Sequence, residues 1–197
     1  MPVHQIVPIL FRAALWAPAA AAAFLAWRWL FCRIKGKGFN RYNELWLTAT
    51  VFYLATLFLI TVSRPGIDWL AVAEGRHRGR YGLQLIPFFV TIKQLRGGWL
   101  KLFYPVAGNI AWFIPLGILL PSCWQIKNQP VSGRKVLLIS LLVSLGIETL
   151  QWLWGTGVSD IDDMIFNVIG GILGYGLYRL FARRFNHFDC RKRKYLI

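Results

Sequence analysis

Glu148, Asp160 and Asp163, together with the amides Asn109, Gln151 and Asn167, are the side chains of this sequence best suited to bind or react. Ser140, Ser144, Glu148 and Gln151 are separated by four, four and three residues. That spacing places them on one stripe of a helix. The serines alone would serve as ordinary helix-packing residues. A carboxylate in such a stripe needs a partner, a proton or water, because ionised groups are costly in apolar surroundings. Shortly after it come Ser159, Asp160, Asp162 and Asp163, then Asn167. Asp160, Asp163 and Asn167 stand at i, i+3 and i+7, again one helical face. Three kinds of chemistry fit these types. Glu148, Asp160 and Asp163 could hold Mg²⁺ or another hard cation, whose natural ligands are carboxylate oxygens. A Glu148 that keeps its proton through burial could act as a general acid or base. The same groups, with Asn109 and Ser144, could simply bind a polar ligand. A plainer role is available to each acid: Ser159 or Asp160 would cap a helix, and Asp162 would complement its dipole. His4, His77 and His187 all lie elsewhere, and no serine or cysteine stands in a recognisable nucleophile motif.

The elements that must position these residues are apolar. The chain has 197 residues, 56% of them hydrophobic and only 16% charged. Five apolar runs are long enough to cross about 30 Å of hydrocarbon, which takes roughly 20 helical residues. They extend over residues 13–31, 45–62, 102–124, 136–154 and 164–181. The sequence thus predicts an all-α integral membrane protein of about five transmembrane helices. A further apolar piece, Tyr81 to Leu95, contains Pro87 and is too short to span, so it reads as an interfacial or re-entrant helix. Asn109 falls near one end of the third run, and Pro115 removes a backbone hydrogen bond there and predicts a kink. On the fifth run the face of Asp163 and Asn167 continues through Gly170, Gly171, Gly174 and Tyr178, and Gly170-x-x-x-Gly174 permits close approach of another helix.

The net charge is +15, from 23 Lys and Arg against 8 Asp and Glu. In a soluble protein this would suggest nucleic acid. Here the basic residues flank apolar runs, which fits the positive-inside rule and anionic lipid, and no nucleic-acid-binding signature is present. With the N-terminus outside and the C-terminus cytosolic, 15 Lys and Arg fall on the cytosolic side and 8 on the outer side. A cleaved signal peptide is the competing reading of the first run. No positively charged segment precedes that run, however, and basic residues follow it, which favours a retained helix. Cys32, Cys123 and Cys190 then fall on the cytosolic side, where thiols stay reduced, and read as structural. In this topology Asn109, Glu148, Gln151, Asp160, Asp163 and Asn167 all come to the outer side, so three helices would line one outward-facing polar pocket.

These motifs resemble the VanZ-like family of bacterial membrane proteins. The likeness rests on three pieces: Leu85-Ile86-Pro87-Phe88; Asn109 with Phe113-Ile114-Pro115-Leu116-Gly117; and Ser144-x-x-x-Glu148-x-x-Gln151, which leads to Asp160-Ile161-Asp162-Asp163-x-x-x-Asn167-x-x-Gly170-Gly171-x-x-Gly174-Tyr175. It divides the chain into an extra N-terminal helix with a basic loop (1–44), a VanZ-like domain (45–182) and a basic tail (183–197). Gln84 replaces an asparagine that many members carry, and Val158-Ser159 stands where many have a basic residue. The resemblance implies a multi-pass protein of the bacterial cytoplasmic membrane. The family's founding member is linked to resistance to the glycopeptide teicoplanin. It implies no particular reaction.

Two functional readings follow. In the first, the pocket binds a membrane lipid or a lipid-linked cell-wall intermediate, or braces a membrane protein partner. Arg64, Arg76, Arg78 and Arg80, with Lys93, Arg96 and Lys101, would attract phosphate-bearing headgroups. In the second, an enzyme acts on a lipid-linked substrate through its carboxylates, with or without a divalent cation. No other cofactor is implied. Transport is disfavoured, because five spans without an internal repeat do not make the usual transporter architecture.

Overall fold

A computed structural model describes residues 3–63, 70, 72, 74, 82–126 and 132–193. Among them are six helices: α1 (Val3–Ile34), α2 (Arg41–Thr61), α3 (Phe89–Arg96), α4 (Trp99–Ile126), α5 (Gly133–Trp154) and α6 (Ile161–Arg193). Five of these are long and apolar enough to cross a membrane: α1, α2, α4, α5 and residues 161–182 of α6. Each begins ahead of the apolar run that announces it. Their outward surfaces are rich in large apolar side chains, as a lipid environment requires.

Helices α1 and α2 form an antiparallel hairpin. Ile9, Ala13, Ala17 and Ala21 recur every fourth residue and are buried, giving α1 a small-residue stripe. At the turn, the Asn40 side chain accepts the N–H groups of Tyr42 and Asn43 and so caps α2. Arg28 closes the hairpin with a fork onto Glu44, its Nε and Nη2 donating to the two carboxylate oxygens at 2.8 and 2.6 Å. A two-pronged pair of this kind fixes orientation as well as charge. Leu57 and Val62 then meet Phe113, Leu116 and Ile147, so the apolar core lies between the α2 end, α4 and α5.

The tightest seam joins α4 to α6. A Cβ on Gly117 would strike the carbonyl oxygen of Gly171, and a Cβ on Gly170 or Gly174 would strike that of Ile110 or Ile114. Gly171 is held just as closely against the Ser140 side chain of α5. Only glycine lets backbones approach this far, and in lipid such contact replaces the hydrophobic effect as the force that joins helices. Helix α4 runs unbroken through Pro105, Pro115 and Pro121.

The Tyr81–Leu95 stretch differs from the single helix expected. Its described part, from Gly82, contains a two-residue strand, β1 (Leu83–Gln84), paired in parallel with β2 (Ser159–Asp160). A turn follows, and α3 starts only at Phe89. Pro87 has no N–H to give a helix, and Phe88 sits in the left-handed region at φ 61°, so a helical hydrogen-bond ladder can begin only beyond them. The strand pair ties the segment ahead of α3 to the residues that open α6. Arg64, Arg76, Arg78 and Arg80 lie outside the described residues.

Gly174→Ala is expected to lower the stability of the detergent-solubilised protein by about 1–3 kcal/mol, the usual cost of overpacking. Gly176 has nothing within 4 Å of the same position, so Gly176→Ala should stay within roughly 0.5 kcal/mol of the parent. Thermal unfolding of the two variants side by side checks the pair.

Candidate functional site: a buried carboxylate and amide cluster

Helix α5 turns its whole polar stripe inward. Ser140, Ser144, Glu148 and Gln151 are all buried, Glu148 to 3% exposure. The helix ends at Gly155, whose left-handed backbone (φ 62°) lets its N–H return to the carbonyls of Gln151 and Trp152. The chain then doubles back through β2, and this reversal brings Asp160 to Glu148. The Asp160 N–H donates to Glu148 Oε2 at 2.9 Å. Asp160 Oδ1 in turn accepts the Asp162 N–H at 3.0 Å, so Asp160 is the side-chain cap of α6. Burial pushes the Asp160 carboxyl up from its ordinary range; the Asp162 N–H opposes this, while the Asp162 charge adds to it.

Asp162 does not serve its own helix. Buried to 2% exposure, it turns away toward α3. Its Oδ1 accepts the Phe88 N–H at 2.5 Å, and its Oδ2 accepts the Thr91 N–H at 3.3 Å and the Thr91 hydroxyl at 2.6 Å. Phe88 holds the capping position of α3 and has no side-chain oxygen with which to cap it. The carboxylate of another element therefore supplies the acceptor that the free N–H groups need. The sequence suggested only that Asp162 would complement the dipole of its own helix; its capping of α3 was not legible. The available signal was Phe88 itself, a residue that cannot cap, standing after a proline.

Across the seam to α4, Asn109 Nδ2 donates to Asp163 Oδ1 at 2.5 Å. One turn further along α6, Asn167 Nδ2 donates to Ser144 Oγ of α5 at 2.9 Å. Gln151 Nε2 reaches the Thr61 carbonyl at the end of α2, 3.0 Å away. All seven candidate residues thus come together at one end of the bundle: α4 contributes Asn109, α5 contributes Ser144, Glu148 and Gln151, β2 contributes Asp160 and α6 contributes Asp163 and Asn167, while α2 offers the Thr61 carbonyl to Gln151. Of the seven, Asn109 and Asp163 are the more open, and the other five are buried.

The cluster is built of hydrogen bonds between its own members rather than of oxygens aimed at one central point. Among the described residues no three His, Cys, Asp or Glu side chains are grouped so as to hold a metal ion. Glu148 and Asp160 each commit an oxygen to a backbone N–H. The donor set expected for a hard cation, Glu148, Asp160 and Asp163, therefore does not present itself as a ligand cage. What the arrangement offers is a largely buried set of carboxylate acceptors and amide donors, open mainly at Asn109 and Asp163.

Fold and site together define a multi-pass helical membrane protein with an acidic, amide-rich cluster at one end of its bundle. The profile of the VanZ/LLP1 family matches residues 50–182. The chain belongs to that family. It is similar to Protein VanZ of Enterococcus faecium, with 29% identity over 134 residues that cover 68% of this chain and 73% of the relative. No solved structure matches. The matched region takes in β1, α3 and every residue of the cluster, and leaves out α1 and the first turns of α2.

Asp162→Ala removes three acceptor contacts on α3. Hydrogen bonds to a charged group contribute about 1.5–3 kcal/mol each at most, so α3 should detach before the bundle unfolds. Amide hydrogen exchange across residues 83–96 is expected to quicken by at least about tenfold while that of α4 holds, a difference of roughly 1.4 kcal/mol in local opening.

Proposed function

We propose that this protein is an envelope protein of the bacterial cytoplasmic membrane whose cluster binds the polar part of a lipid-linked or cell-wall component, and that it thereby modulates susceptibility to glycopeptide antibiotics. The observation that carries this reading is the meeting of Asn109, Glu148, Asp160, Asp163 and Asn167 at one bundle end. Ionisable groups at membrane depth mark function by default, since each is costly to keep there. Asp163, the more open acid, and its partner Asn109 would meet the ligand first; Glu148 and Asp160 would stand behind them.

Four acids gathered in this way repel phosphate, so the carboxylates suit the sugar or peptide portion of such a component. A phosphate would fall to the basic outer segment, where Arg64, Arg76, Arg78 and Arg80 belong by sequence. The proposed orientation, N-terminus outside and C-terminus cytosolic, puts the cluster on the side from which a glycopeptide meets its target. The VanZ kinship supports the same reading. A membrane protein partner seated on the cluster is the competing occupant.

Glu148→Gln should weaken any protection against teicoplanin in cells while leaving the protein inserted and folded; unchanged protection removes the Glu148 charge from the mechanism. The loss of one charged hydrogen bond corresponds to about 10- to 100-fold in ligand affinity. A second measurement separates binding from metal chemistry. Purified protein is expected to show no thermal shift with Mg²⁺, Mn²⁺ or Ca²⁺, and a shift that Glu148→Gln abolishes would restore the cation reading.

A further inference from the structure

Helix α3 has no buried residue and no acid, yet its backbone is fixed in place at one end by Asp162. Phe89, Ile92, Lys93 and Arg96 stand at i, i+3, i+4 and i+7, so they share one stripe. Phe89 and Ile92 are each 52% exposed, and Lys93 and Arg96 are exposed beside them. Thr91, on the other side of the helix, is the residue bonded to Asp162. The stripe therefore faces away from the protein, apolar in its first turn and cationic in its last. At its far end a second cation joins the group. Lys101, from the first turn of α4, lies beside Gly97, the residue that closes α3, and so near the negative pole of that helix. Leu85 and Ile86, just ahead of α3, are also exposed, as are Trp99 and Leu100 just after it. The apolar surface of α3 is thus continuous along the chain with the lipid-facing belt of α4.

We propose that α3 and its flanks form a docking surface for anionic phospholipid, with Phe89 and Ile92 set among the upper acyl chains and Lys93, Arg96 and Lys101 on the phosphodiesters. The chemistry is that of a short interfacial amphipathic helix: apolar side chains enter the headgroup boundary, and basic side chains extend along it to reach phosphate. Water would leave Phe89 and Ile92 exposed with nothing to cover them. A second protein would be expected to offer acids to three gathered cations, whereas an anionic leaflet supplies that charge together with the apolar layer beneath it. This surface is separate from the carboxylate cluster and stands whether or not that cluster binds a cell-wall component.

Native mass spectrometry of the full chain, offered phosphatidylglycerol or phosphatidylcholine, tests the charge. The parent should retain phosphatidylglycerol in preference, and K93Q/R96Q/K101Q should retain at least about tenfold less, since each basic residue at an anionic surface multiplies partitioning roughly fivefold. Equal retention by the two proteins overturns the proposal. A second arm keeps all three charges. In mixed vesicles of the two lipids, a nitroxide placed at Ile92→Cys, in a full chain whose own cysteines are serines, should collide with oxygen more often than with a water-soluble nickel chelate. Greater access to the chelate, or protection from both, would mean that water or protein covers the stripe and would overturn it.

Discussion

The architecture depends on the close approach of α4 and α6. With Gly117 set against Gly171, and Gly170 and Gly174 set against the carbonyls of Ile110 and Ile114, the two backbones touch over two turns. In hydrocarbon there is no water to drive helices together, so contact of this closeness must supply the association itself. It also fixes register. Once Gly170 lies on Ile110, Asp163 is brought to the level of Asn109, and Asn167 faces α5 at Ser144. Slippage by one residue would turn these groups toward lipid, where an unsatisfied polar group costs several kcal/mol. Packing and polar pairing therefore select the same arrangement.

The cluster carries this logic outward. Glu148 is tied through the backbone of Asp160 to the start of α6, and Asp160 caps that helix. Asp162 then reaches to the start of α3. Glu148, Asp160 and Asp162 thus fill three linked structural roles, and the fourth acid, Asp163, faces α4. Because each acid accepts from a donor of its own, their hydrogen bonds link α3, α4, α5 and α6 at one level. A ligand entering there would exchange hydrogen bonds already made, which favours selective binding of a well-matched polar group over loose adhesion.

The five spans could be read from sequence because a membrane helix must be apolar along its whole length, and the runs around Ala17, Leu57, Phe113, Ile147 and Gly171 announce themselves. The Gly170–Gly174 seam was legible for a related reason: small residues one turn apart have few other uses in lipid. The polar stripe of α5 also followed from spacing. Partners were harder. Nothing in a linear pattern says that Gln151 donates to the backbone of Thr61, since any carbonyl at a helix end would serve. The Arg28 and Glu44 fork joins residues whose sequence context suggested only flanking charge. The strand pair β1–β2 has two residues on each side, too short for any periodicity to register. The stretch before α3 was read as helix because its apolar content is helix-like, whereas Phe88 takes a left-handed backbone and its N–H goes to Asp162, a tertiary partner that no local pattern announces.

The claim that three helices share one polar level can be tested by a double-mutant cycle between Asn109 and Asp163, which lie on different helices and 54 positions apart in sequence. Stability is measured in bilayers for Asn109→Ala, Asp163→Ala and the pair. A coupling of about 0.6 kcal/mol, and up to about 1.7 kcal/mol, is the expected result for a side-chain hydrogen bond within a membrane. Strictly additive effects would mean that α4 and α6 do not meet there, and would contradict the arrangement from which the rest is argued.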